Sequence, residues 1–520
     1  MAWAYSNGVI TAKSKNSRGP YMNIVWFKRD LRIEDHEALA MALQNGPMLP
    51  LYILEPELWQ QPDMSQRHYL FLVECIYELD ASLRALGQKL IIKKGNAVDV
   101  LDELFKHHNI DALWSHQETW NGWTYKRDKT VRNLCAARKI KWNEPAQNGV
   151  IRALKNRNGW SERWYERMSK PTLKSPIALS PIKETSDTMP NSTQLGLKQE
   201  QCIYLQKGGR AEGLKILTSF LDHRGENYTK EMSSPVTAFD SCSLLSAHIA
   251  FGTVSIREVF HACERRKQEV KQMPRGMKGK WPSALRSFSG RLRWHCHFIQ
   301  KLEDEPEIEF QNMHSAYDGL RENNFNTEYF QRWQSGNTGY PMVDACMRAL
   351  NATGWLNFRM RAMLVSFASY HLWLHWSKPA LHLAQQFTDY EPGIHYSQIQ
   401  MQSGTTGINA IRIYNPIKQG IDQDPNGVFI RQWIPELQKM DQAFIHTPWQ
   451  AQSQMNDYPM PIVDEKTSRK LAANGLYSRR ENKKVHRKLS TEIIKKHASR
   501  KPHIKRRKTL NKNKQRELPF

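Results

Sequence analysis

The spacing of apolar residues changes once along this 520-residue chain, and that change constrains the fold more than any other feature. In residues 22–150, apolar runs of strand length alternate with stretches of helical period. Asn23–Phe27, Met48–Ile53, Lys89–Lys93 and Ala112–Ser115 read as strands, with Asp35–Leu43, Gln66–Leu86 and Ala97–His108 as helices between them. Strands separated by helices join in parallel through crossovers, so the pattern predicts an α/β doubly wound parallel sheet. From about Gly209 onward the period is helical. Gly213–His223, Ser255–Lys267, Ala284–Glu303, Asn326–Gln334, Met342–Thr353 and Asn357–Trp376 all fit, and the last is apolar nearly all round, as a core helix is. The expected fold is an α/β domain followed by an all-α domain.

Composition sets the boundaries. Residues 1–21 lack the apolar segment of a secretory signal, and strand-like sequence begins at Met22, which reads as the physiological start. The α/β domain is expected over 22–155 and a linker over 156–208, centred on the Ser/Thr/Pro-rich stretch Pro171–Ser192. The helical domain is expected over 209–450 and a basic, disordered tail over 451–520. Charge separates the tail from the body. Lys and Arg number 75 against 51 Asp and Glu; residues 466–520 alone hold 20 Lys/Arg and three Glu, which is +17 of the net +24. Such an end points to a polyanion, most often nucleic acid, with a solubilising tail as the alternative.

Other classes are excluded. The longest apolar stretch, Ala362 to Trp376, is broken by Ser366, Ser369, His371 and His375, so no membrane span is expected. Seven scattered cysteines, none in C-x-x-C spacing and none beyond Cys346, argue for a reducing, cytoplasmic setting (nucleoid-associated in a bacterium). They supply no thiolate cluster for zinc or iron–sulfur, and no metal is expected.

Six segments, in order, carry a resemblance. Trp26-Phe27-Lys28-Arg29-Asp30-Leu31-Arg32 precedes Asp35-His36-Glu37-Ala38-Leu39. Then come Leu245–Gly252 (LSAHIAFG), Thr338–Ala345 (TGYPMVDA), Trp355–Arg361 (WLNFRMR), Arg412–Pro416 (RIYNP) and Arg431–Leu437 (RQWIPEL). Over about residues 22–445 the chain resembles the photolyase/cryptochrome family. The resemblance implies an α/β antenna domain and a helical domain holding FAD in a folded pose. Tyr228, Ser243 and Ser246 fall at the FAD diphosphate, where helix-start N–H groups favour an anion. Arg361 and Asp389 match the ion pair beside the isoalloxazine, and Glu391 the second acidic position of that loop. His395 takes the place facing flavin N5; it reads either as a proton donor or as a satisfied core histidine. Trp294 and Trp355 match aromatic positions of the lesion cavity, and Arg359 a polar one.

Three cavity positions depart from the family. Arg291 stands where a Glu usually bonds the lesion, Met401 replaces a stacking Trp, and Phe358 replaces an Asn. Arg291 suits a phosphate or an anionic lesion better than a neutral pyrimidine edge. The electron relay departs too. Trp376 matches the middle tryptophan, but Ile399 holds the proximal position and the distal one falls near Asn323. The candidates for an alternative route are Tyr390, Tyr396, Trp373 and Trp376. A second, antenna chromophore is left open between folate, flavin, deazaflavin and none. Glu118 lies near a folate-contacting position, with an exposed loop Glu as the more ordinary reading. The C-terminal Gln515–Phe520 resembles a sliding-clamp-binding peptide.

The implied function is light-dependent DNA repair, splitting UV-induced pyrimidine lesions in single- or double-stranded DNA by electron transfer from reduced FAD. The activity would be that of a deoxyribodipyrimidine photo-lyase. The alternatives are a cryptochrome-type blue-light receptor without repair activity and a nucleic-acid-binding flavoprotein without photochemistry.

Overall fold

The computed structural model describes residues 21–200, 202–323, 325–481 and 483–498. Five parallel strands form one sheet in the order β3-β2-β1-β4-β5: β1 Met22–Phe27, β2 Met48–Leu54, β3 Ile91–Lys94, β4 Ile110–Trp114 and β5 Lys141–Asn143. β1 is buried at every position, because a central parallel strand is covered on both faces. Its residues split between two cores. Ile24 and Trp26 pack with Leu101, Leu104 and Val131 on one face, while Val25 and Phe27 pack with Leu39, Leu72 and Ile76 on the other. The three-residue β5 is too short and too polar for its sequence to announce it.

The opening motif clasps the two halves of the molecule. Arg29 Nε donates to the Ala250 carbonyl at 3.0 Å, and Arg32 Nη1 to that of Gly252 at 2.9 Å. Asp35 accepts from Arg257 Nε at 2.9 Å and from the Ser255 hydroxyl. Gly252 has φ +68°, and a Cβ there would lie 2.2 Å from the Arg29 carbonyl oxygen. Only glycine allows both the left-handed turn and this approach of backbone to backbone. Two of the six segments therefore meet each other.

The helical half is built around the long helix Trp281–Asp304 and the helix Pro392–Ser403 packed against it. The stretch expected as one helix over Asn357–Trp376 is two pieces. A helix Phe358–Ser366 runs into a π-helical turn Phe367–His371, and the path then breaks at Trp373, whose φ is +53°. The wide turn absorbs extra residues, and apolar composition alone does not reveal it.

The tail also differs from expectation. Glu465–Ser478 and Lys483–His497 are helices docked on the body rather than a disordered arm. Ala472 and Leu476 bury against Tyr317 and Tyr370, and Ile493 against Leu302, Ile308 and Met313. Gly475 lies so close to the Trp373 ring that a Cβ would be 2.7 Å from it. His497 is hydrogen-bonded to Glu305. The many Lys and Arg masked these few anchors in the sequence. Lys484, Arg487 and Lys488, at i, i+3 and i+4, lie exposed on the face opposite Ile493 and His497.

The linker is not free either. It contains the helix Trp160–Met168 and then runs along the sheet edge, with Leu179 N donating to the Leu86 carbonyl at 2.7 Å and Asp187 N to that of Ile92 at 2.8 Å. Gln515–Phe520 lies outside the described residues. No described helix is long and apolar enough to cross a membrane.

Candidate functional site

A cavity of about 360 Å³ opens in the helical half, within the size range of small-molecule sites. The Trp281–Asp304 helix supplies Arg291, Trp294 and Phe298 to one wall. The Pro392–Ser403 helix supplies His395, Gln398, Ile399 and Met401 to another. The Phe358–Ser366 helix adds Arg359 and Arg361, and the loop after Phe387 adds Asp389, Tyr390 and Glu391. Tyr228, Ser243, Ser246 and Trp355 complete it. Trp373 lies elsewhere, against Arg321 and Gly475, and Glu118 belongs to the sheet half; every other site residue named from the sequence lines this cavity except Tyr396 and Trp376. Those two stand behind the wall: the Tyr396 ring is edge-on to His395 at 5.2 Å, and Trp376 to Tyr396 at 6.3 Å.

Arg361 and Asp389 form a bidentate pair, Nη1–Oδ1 2.9 Å and Nη2–Oδ2 2.8 Å. Arg361 Nε also donates to the Leu356 carbonyl at 2.6 Å, and its guanidinium lies 3.9 Å from the Phe387 ring centroid. Burial pushes the Glu391 carboxyl up to about 7, opposed by Arg29. His395 Nε2 lies 2.9 Å from the Ala380 carbonyl, which can only accept; the ring proton is therefore assigned to Nε2, and Nδ1 carries the lone pair. Burial lowers His395 to about 4, so the ring is neutral near pH 7. The ring lines the cavity, but its one proton is held by the backbone, which is the arrangement of a satisfied histidine and not of a proton donor.

The fit of a flavin dinucleotide is tested by what the walls leave unsatisfied. Asn357 Oδ1, Arg359 Nε, Glu391 Oε1 and Gln398 Oε1 are buried polar atoms without a protein partner, and all four belong to cavity residues. Each such atom costs about 1–3 kcal/mol unless something meets it. Leu244, between the two serines of the wall, is held at φ +58°, a backbone conformation that costs a leucine energy. An apolar cavity needs neither feature; a ligand with polar ring edges and an anionic segment answers both. Asn357 was missed as a site residue, although it lies in the WLNFRMR segment. Its Nδ2 donates to the Met232 and Ser233 carbonyls at 3.1 and 2.8 Å, which leaves Oδ1 to the cavity.

The second expected chromophore site fares differently. In a sheet of this order, ligands enter the crevice at the carboxyl ends of β1 and β4, where the winding reverses. That crevice is filled by the chain itself. Lys28 pairs with Asp128 at 3.3 Å and Glu118 at 3.6 Å; Arg127 pairs with Glu55 at 2.7 Å, Asp128 at 2.8 Å and Glu118. Cavities of about 30 and 40 Å³ lie beside the cluster, each with room for a few waters and not for a ring system. Glu118 is therefore a buried member of an ion cluster and not an exposed loop residue. A second chromophore does not fit there with these side chains in place.

A nucleotide-type sheet joined to a helical domain with a flavin-sized, partly unsatisfied cavity defines a two-domain flavoprotein architecture. The family model for DNA photolyase matches residues 23–175, and that for the FAD binding domain of DNA photolyase matches residues 288–478. Cryptochrome-1 of Sinapis alba is 30% identical over 499 residues, covering 88% of this chain and 96% of that protein. A deoxyribodipyrimidine photo-lyase of Streptomyces griseus is 27% identical over 464 residues, covering 85% and 96%. An archaeal photolyase from Sulfolobus tokodaii, solved with two FAD molecules, superposes with a TM-score of 0.73 at 26% identity, covering 88% of this chain and 99% of that one. The chain belongs to the photolyase/cryptochrome family. Its relatives carry both names at similar identity, so likeness alone does not divide repair from light reception.

Proposed function

We propose that this protein is a light-dependent DNA repair flavoprotein that splits UV-induced pyrimidine lesions. The observation that carries the reading is the joint wall of one cavity. Trp294, Trp355 and a 37%-exposed Phe358 stand with Arg291 and Arg359 around the same space that Arg361, Asp389 and His395 enclose. Aromatic faces receive an unstacked base and cationic groups hold the flanking phosphates, which offsets the few kcal/mol that extruding a nucleotide costs. Bound FAD, in its reduced state and excited by blue light, supplies the electron that lesion splitting requires.

The chain's own residues do the rest. Tyr228, Ser243 and Ser246 bind the diphosphate. Arg361, fixed by Asp389, presents positive charge and favours an anionic ring. Glu391 holds a proton near neutral pH. His395, with Nε2–H committed to Ala380, presents Nδ1 as an acceptor. Trp294, Trp355 and Met401 form the base platform, and Arg291 sets lesion choice. Blue-light reception without repair is favoured by two of the same wall residues, Met401 and Ile399, which stand where aromatic rings are expected.

The deciding experiment loads the protein with FAD, reduces it, and illuminates it with UV-damaged single- and double-stranded oligonucleotides. Loss of lesions supports repair. Lesions that persist beside bound, reduced FAD overturn it in favour of light reception.

The docked tail helices give a second prediction. Changing Lys484, Arg487 and Lys488 together to Gln leaves the buried face of their helix intact. If these residues contact duplex phosphates, the slope of log affinity against log salt becomes shallower by about 0.9 per contact, between 2 and 3 in all. An unchanged slope in a binding titration would mean that these three side chains do not contact phosphates.

A further inference from the structure

Tyr390 differs from the other aromatic residues of the cavity wall in what its polar atom touches. Its phenol is fully enclosed and donates to Asp63 Oδ2 at 2.8 Å. Asp63 belongs to the α/β half, is 4% exposed, and makes no ion pair among the described residues. The same Oδ2 accepts from Asn121 Nδ2 at 3.0 Å. Both donors converge on this one oxygen, which places an acceptor on the phenol's O–H line. Asn121 is itself fixed, since its Oδ1 accepts from Thr124 N at 3.1 Å to cap the helix Gly122–Ala137. Ile399, also in the wall, has no aromatic ring to oxidise.

We propose that Tyr390 is the protein's first electron donor to the photoexcited, oxidised flavin, and that Asp63 accepts its proton in the same event. The inference rests on the flavin reading of the cavity. One electron leaves the phenol for the excited isoalloxazine, which is the oxidant. The Tyr390 O–H bond breaks, an O–H bond forms at Asp63 Oδ2, and a neutral tyrosyl radical is left. The coupling is required because an oxidised phenol is a strong acid, and a buried cationic radical with no base beside it is costly. At rest, burial and Asp63 both hold the proton on Tyr390, whose phenol lies well above the usual range. Behind it, aromatic rings continue inward. His395 is 5.2 Å from both Tyr390 and Tyr396, and Trp376 is 6.3 Å from Tyr396. The route thus enters the chain of rings through a proton-coupled tyrosine, not through a tryptophan.

The test is flash spectroscopy on the full chain loaded with oxidised FAD, with electron paramagnetic resonance identifying the radical. The wild type should give a neutral tyrosyl signal whose rise slows at least twofold in deuterated buffer, a measurement that needs no variant. Tyr390→Phe, which keeps the ring, should abolish the signal. Asp63→Asn, which keeps the shape and removes the base, should slow the rise at least tenfold and lose the isotope effect. A parallel arm on protein without flavin uses a flash-generated ruthenium(III) polypyridyl oxidant, so that failure to bind FAD, which sinks only the flavin reading, is kept apart. An unchanged signal in Tyr390→Phe, or an unchanged rate and isotope effect in Asp63→Asn, overturns the proposal.

Discussion

Gly393→Ala is expected to lower the melting temperature by roughly 3–6 °C and to reduce retained flavin at least tenfold. Gly393 is the second residue of the Pro392–Ser403 helix. A Cβ there would lie 2.5 Å from Ile299 Cα and 3.3 Å from Ile299 N and Cβ. The obstacle is the backbone of the Trp281–Asp304 helix, so no side chain can rotate away to make room. Overpacking at a flexible contact costs about 1–3 kcal/mol, and a backbone contact lies at the upper end of that range. The effect on flavin follows from what the two helices carry. Arg291, Trp294 and Phe298 lie on one and His395, Gln398 and Met401 on the other, so parting them by even a few tenths of an ångström opens the cavity along its length. Gly290→Ala in the same long helix is the control. Nothing lies within 4 Å of its Cβ position, and helix propensity favours alanine there by up to about 1 kcal/mol. Calorimetry and flavin absorbance per chain decide the matter. Equal values for Gly393→Ala and wild type would show that this contact does not set the cavity.

What could be read beforehand divides along physical lines. The strand and helix periods of residues 22–150 gave the sheet, because each buried face repeats locally. The cavity lining was legible only through the six segments. No period in the sequence says that Tyr228, Arg291 and Asp389 share a space, although they do. Interactions that are neither local nor motif-bound were invisible. Asp63 lies hundreds of residues from the Tyr390 hydroxyl it accepts from, in a loop with no signal of its own. Glu118 reads as solvent-facing until Lys28 and Arg127 are seen on either side of it. The tail helices were hidden because four small anchors, Ala472, Gly475, Leu476 and Ile493, are outnumbered by solvated cations. Hydropathy averages over a helix, whereas docking depends on one face. The clasp of Arg29, Arg32 and Asp35 shows the converse. A segment that carries the family resemblance proves to hold the two halves together.

The ion pair of Arg361 and Asp389 is expected to be strongly non-additive. The Asp389 side chain is 5% exposed and that of Arg361 25% exposed, so the two cannot be lost at equal cost. Arg361→Ala strands the more buried carboxylate and removes the guanidinium from both the Leu356 carbonyl and the Phe387 ring. A broken buried pair costs about 3–5 kcal/mol, and partial exposure of the Arg brings the expectation to about 3. Asp389→Asn leaves Arg361 with those two partners and a path to water, and its cost is expected at about 1–2 kcal/mol. In the double variant no charge is stranded, so the summed loss should fall short of the two single losses by more than 1 kcal/mol. Flavin should respond in a different order. Arg361→Ala and the double variant both remove the positive charge from the cavity wall, so, on the proposed placement of the ring, both should retain at least tenfold less FAD, whereas Asp389→Asn, which keeps the charge but loosens it, should lose less. Denaturant titration separates the first ranking and equilibrium dialysis the second. Strict additivity in stability would mean that the pair is solvated and contributes little. Equal FAD loss in Asp389→Asn and Arg361→Ala would mean that the site depends on the geometry of the pair and not on the sign of its inner charge.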